Sequence, residues 1–171
     1  QAAKKIADQR PDLIVLHTPH GIALQRSLGV YRGGSAAGTA LWMGAWDEYK
    51  VQVECDDAQA GVLLKHFQSQ GIDAQGITAF AGTGTPLRWA EVVPLWFLRK
   101  LTAGGTRCIF LSQGCGGAEG ASSLHRGQVS PRLIPQTIAQ GRCLYSWAQA
   151  NPKRVFVIYS GDLSHRHGNS L

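Results

Sequence analysis

Three short stretches of the chain are apolar at every position, and each has the length of a strand. They are residues 13–16, 108–111 and 155–159. Strands of parallel sheets show this unbroken apolar pattern because helices cover both faces of the sheet. The pattern therefore predicts three buried strands.

Helical patterns lie between these strands. A helix at 58–70 would begin at an N-cap provided by Asp56 or Asp57 and turn Val62, Leu63 and Phe67 toward the core. Proline has no N–H, which costs nothing in the first turn of a helix, so we expect a helix to begin near Pro94. The remaining predicted elements are helices at 1–9 and 133–150, weaker strands at 22–31, 50–54 and 72–80, and a Gly- and Ala-rich loop at 33–44.

Strands that alternate with helices predict an α/β fold, in which right-handed crossovers build a mostly parallel sheet flanked by helices. A chain of 171 residues, 44% hydrophobic and 16% charged, is expected to form a single domain over 1–171. Because residue 1 is Gln rather than Met, and a motif stands close to residue 171, we expect this domain to lack its N- and C-terminal ends.

Charge and cysteine content narrow the function classes. The net charge is +6, but the basic residues are scattered in runs of at most two, which argues against a nucleic-acid partner. No apolar run approaches the roughly 20 residues of a membrane span. The four cysteines form no CxxC pair, so Cys108 and Cys143 are expected to be buried free thiols in a cytoplasmic protein.

Histidines follow two of the apolar strands. His20 comes after the first strand and Thr18-Pro19, at the sheet edge where α/β proteins place their ligands. Its imidazole suits iron, zinc, copper or nickel, and the alternative is a turn histidine that caps the next segment. His17 is a weaker candidate, because it is expected to face the opposite side of the sheet.

The third strand runs into Ser160-Gly161-Asp162-Leu163-Ser164-His165. His165 can act as an acid or a base near neutral pH, and Asp162 can hold the loop or orient a histidine. The alternative is that Asp162 and Ser164 cap a helix that begins nearby.

Other candidates are weaker. The Gly-rich segment 113–120 lacks the order of a phosphate-binding loop, and no serine lies in a GxSxG elbow. The five tryptophans, Trp89 among them, are expected to be core and helix-packing residues rather than a stacking platform.

Three segments together resemble the class III (LigB-type) extradiol ring-cleavage dioxygenases and their Memo-type relatives. The first is 12–21, a strand followed by Thr-Pro-His-Gly. The second is Val-Val-Pro-Leu-Trp-Phe-Leu at 92–98, and the third is 155–165, which ends in Ser-Gly-Asp-Leu-Ser-His. Their order and spacing are similar to the family pattern along nearly the whole chain, including the helix that follows Asp56-Asp57.

The resemblance implies a non-haem Fe(II) ion held by two histidines and one carboxylate, which opens a catechol-type aromatic diol with O₂. His20 resembles the second histidine ligand, and His165 the histidine that serves as acid or base, with Asp162 and Ser164 in its supporting shell. The first histidine would lie upstream of residue 1, and the carboxylate, or a cysteine in Memo-type relatives, downstream of residue 171. Trp89 stands where the family often carries a second-sphere histidine.

Three functions follow as expectations. The first is an Fe(II)-dependent extradiol dioxygenase acting on a small aromatic diol and O₂. The second is a Memo-like or subunit-type protein that keeps the shell of the site for binding, as a homo-oligomer or with a partner subunit. The third is a metal-dependent hydrolase that uses zinc, a weaker alternative to iron.

Overall fold

The computed structural model describes residues 2–22, 24, 26–40, 49–78, 84–113 and 133–161. Its helices are α1 (Ala2–Asp8), α2 (Asp57–Ser69), α3 (Trp89–Phe97), α4 (Arg99–Ala103) and α5 (Leu133–Ala150). Its strands are β1 (Leu13–Thr18), β2 (Leu28–Tyr31), β3 (Ser35–Thr39), β4 (Lys50–Glu54), β5 (Ala74–Ile77), β6 (Thr85–Leu87), β7 (Arg107–Ser112) and β8 (Val155–Tyr159).

The main sheet has five strands in the order β5-β2-β7-β1-β8. β1 lies between β7 and β8 and is parallel to both, whereas β2 runs antiparallel to β7 and carries β5 as its parallel neighbour. The α/β class is therefore confirmed, but the sheet is mixed. The sequence pattern could not reveal this, because strand direction depends on how the chain returns to the sheet.

A second sheet of three strands, in the order β4-β3-β6, was not predicted. Its strand β3 falls in the stretch 33–44, so the prediction of a loop there is wrong. The small residues serve close packing instead of a turn: a Cβ on Gly38 would collide with the backbone of Leu87 in the neighbouring strand β6. Glycine in a strand often marks such an approach between backbones.

Side chains that alternate along β1 divide the core in two. Leu13 and Val15 face α2 and α5, whereas Ile14 and Leu16 face α3 and the three-stranded sheet. Successive strand residues point to opposite faces, so a strand covered on both sides must be apolar throughout. This confirms that β1 and β7 are buried strands.

The helix α2 begins as its sequence predicts. Asp56 is the N-cap and accepts a hydrogen bond from the N–H of Gln59 at 3.1 Å, while Asp57 pairs with Arg32. Phe67 is buried, but Val62 is 52% exposed, so its assignment to the inward face is wrong. It lies on the side of the helix that turns away from the sheet.

The prediction for Pro94 is also wrong. α3 begins at Trp89, and Pro94 is the sixth of its nine residues. The proline costs α3 one hydrogen bond, the one that an N–H at position 94 would donate to the carbonyl of Ala90, and the hydroxyl of Ser160 donates to that carbonyl instead.

The strand β8 has the predicted bounds but lies at an edge of the sheet. Within the described residues it pairs only with β1, and its side chains are half-buried apart from the exposed Tyr159. The expectation that this strand is buried on both faces is therefore wrong.

Cys108 and Cys143 are buried free thiols, as expected. Burial raises the pKa of each thiol, so neither is prepared to act as a nucleophile at neutral pH. Among the described residues, no helix is both long and apolar enough to cross a membrane.

Candidate functional site

The carboxyl ends of β1, β7 and β8 meet at one edge of the main sheet. Two backbone hydrogen bonds of 2.9 Å extend the strand pairing past these ends: the N–H of Gln113 donates to the carbonyl of Thr18, and the N–H of Ser160 donates to that of His17. The loops after the three strands therefore leave the sheet side by side. We call this region the strand-end site and define it as residues 17–22, 113 and 160–161.

His20 lies in the turn after β1 with its imidazole against the indole of Trp89. The ring centroids are 5.1 Å apart and the planes are inclined by 38°. The N–H of His20 donates to Oγ1 of Thr18 at 3.1 Å and holds the turn. Trp89 is 44% exposed, so the expectation that it packs in the core is wrong. As the first residue of α3, it covers His20 rather than the sheet.

The two residues after His20 are held tightly. The N–H of Ile22 donates to the hydroxyl of Tyr31 at 2.7 Å, and the carbonyl of Ile22 accepts from the hydroxyl of Ser112. A Cβ on Gly21 would lie 2.5 Å from the Tyr31 hydroxyl oxygen and 2.9 Å from Oε1 of Glu91. A side chain at position 21 would therefore require Tyr31 or Glu91 to shift.

Glu91 is fully buried beneath this loop. Its Oε1 accepts from the Tyr31 hydroxyl at 2.9 Å, and its Oε2 accepts from the N–H of Arg88 at 2.6 Å. Burial raises the pKa of Glu91, although the hydrogen bonds from Arg88 and Tyr31 oppose the rise. Burial, together with the nearby Glu91, also raises the pKa of Tyr31, so its hydroxyl keeps its proton.

Ser160 joins the end of β8 to α3. Its hydroxyl donates to the carbonyl of Ala90 at 2.7 Å. In an α-helix that carbonyl would accept from the N–H four residues later, but the residue there is Pro94, which has no N–H. The serine therefore satisfies a helix carbonyl that would otherwise have no partner from that position.

Gly161, the last residue of the chain that the structure describes, lies next to the turn that carries His20. A Cβ on Gly161 would lie 3.5 Å from Cδ of Pro19, which is ordinary contact distance. Asp162 follows Gly161 directly in the sequence. The predicted catalytic residues Asp162, Ser164 and His165 lie outside the described residues.

His17 takes no part in the contacts around His20. It is buried, and it shares a small cavity with Phe67 of α2 and Leu144 of α5, on the side of the sheet opposite α3. This confirms the expectation that the two histidines face opposite ways. Its Nε2 lies 3.1 Å from Oε1 of Gln113, and burial lowers the pKa of the imidazole, so His17 is uncharged at neutral pH.

The described residues contain no group of three histidine, cysteine, aspartate or glutamate side chains placed to hold a metal ion. Of the metal ligand and the three catalytic residues predicted for the site, His20 alone lies within them. It is half-buried at the carboxyl end of β1, which fits one ligand of a larger set. A separate groove of about 640 Å³ runs between α1, α3 and β8. Its walls are apolar, and neither His20 nor Trp89 lines it.

Comparison with protein-family models gives no match to this chain, and neither does comparison with curated proteins. The chemistry of the strand-end site must therefore be inferred from its own residues and from the resemblance of its motifs.

Sequence reasoning missed Tyr31 and Glu91. Tyr31 ends a strand and looks like an ordinary β residue. Glu91 did carry a recognisable feature, since it is the only charged residue in the stretch 89–98 and stands at the third helical position, where a glutamate can bond back to the N-cap N–H. Misplacing the helix start at Pro94 hid that relationship.

Proposed function

We propose that the strand-end site belongs to a non-haem Fe(II)-dependent extradiol ring-cleavage dioxygenase, or to a close relative of these enzymes. In this proposal His20 is one metal ligand, and His165 is the acid and base, with Asp162 and Ser164 supporting it. The observation that carries the proposal is the backbone hydrogen bond of 2.9 Å from the N–H of Ser160 to the carbonyl of His17, beside which a Cβ on Gly161 would lie 3.5 Å from Cδ of Pro19. It means that two motifs far apart in the sequence leave the sheet against each other, as a shared site requires.

The residues of this chain would have distinct tasks. A bound Fe(II) ion would hold the aromatic diol and O₂ next to each other. His165 would take a proton from a diol hydroxyl and return it to the product as the ring opens. Ser160, bonded to Ala90, would anchor the start of the segment that carries His165, and Trp89 would keep water from one face of His20.

A second candidate is a Memo-like or subunit-type protein that binds a metal or a partner without turnover. The contact between Trp89 and His20 favours it, because the family histidine that Trp89 replaces would stand beside this ligand. An indole can cover an imidazole, but it cannot exchange a proton as a second histidine would.

Metal content and turnover separate these functions. The full-length protein, purified anaerobically, would be analysed for iron and zinc and assayed on a panel of catechols for the coloured ring-opened product. We expect bound iron and turnover in the unmodified protein. We expect loss of iron in His20→Ala, and loss of turnover with iron retained in His165→Ala.

His66→Ala is the matched control. His66 is half-buried like His20, but it lies on α2, where its Nε2 is 3.2 Å from Oγ of Ser146. This variant should keep both iron and turnover. Iron without turnover on the whole panel would favour the second candidate. Stoichiometric zinc with hydrolytic activity would overturn both in favour of a hydrolase.

A further inference from the structure

A continuous chain of hydrogen bonds runs from the first turn of α3 to the loop that carries His20. The N–H of Arg88 donates to Glu91, Glu91 accepts the hydroxyl hydrogen of Tyr31, and the Tyr31 oxygen accepts from the N–H of Ile22. Ile22 stands two residues after His20. One buried carboxylate therefore fixes both the helix start that carries Trp89 and the loop that carries its ring partner.

At the centre of this chain of hydrogen bonds stands a buried group that accepts two of them. Glu91 is fully buried and Tyr31 almost so. A buried carboxyl is costly unless it is hydrogen-bonded, and here each oxygen has a donor.

Gly21 shows how closely the loop follows this pair. Its backbone passes so near to Tyr31 and Glu91 that a methyl group there would overlap both. The carbonyl of Ile22 is held as well, by the hydroxyl of Ser112. The loop thus has little freedom to move relative to α3.

We propose that Glu91 and Tyr31 are positioning residues for His20, because their hydrogen bonds hold the 19–22 loop in a fixed position relative to the first turn of α3. The imidazole of His20 then meets the indole of Trp89 in one arrangement. The consequence for metal binding rests on the proposed function, whereas the positioning of the loop does not.

Two conservative substitutions break the chain at different points. Tyr31→Phe removes the oxygen that Ile22 uses and the donor that Glu91 uses, while it keeps the ring in the core. Glu91→Gln replaces one acceptor oxygen by an NH₂ group. Facing Arg88, this group leaves the Arg88 N–H without an acceptor; facing Tyr31, it can donate to the hydroxyl oxygen but leaves the hydroxyl hydrogen without one. Tyr145→Phe is the matched control on the surface, and Ile109→Val is the control that weakens the other side of the sheet.

The first measurement is local and needs no metal. Nuclear magnetic resonance would follow the amide exchange of Ile22 and the imidazole protons of His20, which lie in the ring current of Trp89. In Tyr31→Phe and Glu91→Gln we expect Ile22 to exchange roughly tenfold faster relative to Leu16 of β1, and the ring-current shift of His20 to decrease. Neither control should change these signals, although Ile109→Val lowers stability.

The second measurement uses Co(II) as a spectroscopic probe of the proposed metal site in the full-length protein. We expect Tyr31→Phe to weaken Co(II) binding by roughly ten- to a hundredfold, as losses from the outer shell of metal sites do. Unchanged Ile22 exchange and His20 shifts would overturn the positioning proposal. If these signals change but the unmodified protein binds no Co(II), the positioning proposal stands and the proposed function fails.

Discussion

Ser160 donates its hydroxyl hydrogen to the carbonyl of Ala90 at 2.7 Å, at the one point where Pro94 leaves that carbonyl without its helical N–H. Because Pro94 has no N–H, the carbonyl of Ala90 can accept a hydrogen bond from outside the helix, and Ser160, the first residue after β8, donates it. This bond ties the strand that leads to Asp162 and His165 to the helix that carries Trp89.

A double-mutant cycle tests this relationship. Ser160→Ala should lower the free energy of unfolding by about 1–2 kcal/mol, because it leaves a buried carbonyl unsatisfied. In a Pro94→Ala background the restored N–H can serve Ala90, so the cost of Ser160→Ala should shrink. Urea denaturation of the four proteins measures both costs. Equal costs in the two backgrounds would mean that Pro94 and Ser160 are not coupled.

Gly21→Ala should disturb the His20 turn. Its methyl group would overlap the Tyr31 hydroxyl and Glu91, and overpacking of this kind costs about 1–3 kcal/mol. Gly34→Ala is the matched control, because a Cβ there meets no atom within 4 Å. Thermal unfolding compares the two variants. Equal stability would show that the loop can move away from Glu91, contrary to its proposed rigidity.

Trp89 is expected to affect metal binding at His20 through the contact of its ring with the imidazole, and not through burial in the core. Trp89→Phe keeps a ring over His20, whereas Trp89→Ala removes the ring contact with the imidazole. If His20 is a metal ligand, we expect Co(II) affinity to fall by roughly two- to tenfold in Trp89→Ala, with a smaller loss in Trp89→Phe. Equal affinities in the two variants would exclude a role for the ring contact.

The Asp56 carboxylate should make the stability of the fold depend on pH. Burial raises its pKa, but hydrogen bonds from Lys153 and from the N–H of Gln59 outweigh this and hold the pKa below 3.8. A lowered carboxyl pKa stabilises the fold above that pH, and the contribution is lost as the pH falls through the folded-state value.

Asp56→Asn keeps an oxygen for the cap but removes the charge. We expect it to cost about 1–2 kcal/mol at pH 7, toward the low end because Lys153 is partly exposed. The difference from the unmodified protein should shrink below pH 3.8. Urea denaturation at pH 7 and at pH 3 measures it, and an identical cost at both would show that the charge contributes nothing.

The sequence predicted the elements whose evidence is local. The unbroken apolar runs identified β1, β7 and β8, the helical pattern gave α5 its observed bounds, and Asp56 marked the start of α2. A strand buried on both faces and a helix cap each depend on a few neighbouring residues, so both can be predicted from a single sequence. The predicted role of His20 likewise came from its place directly after a strand.

Only the tertiary structure decided what depends on residues distant in sequence. Gly38 lies in a strand because its backbone packs closely against that of Leu87, and Trp89 lies at the surface because it covers His20 and not the sheet. The hydrogen bond between Tyr31 and Glu91 joins residues 60 apart in the sequence, so no local pattern predicts it. Hydrophobic periodicity indicates which face of a strand or helix is buried. It does not indicate which residues that face packs against, because those contacts depend on the path of the whole chain.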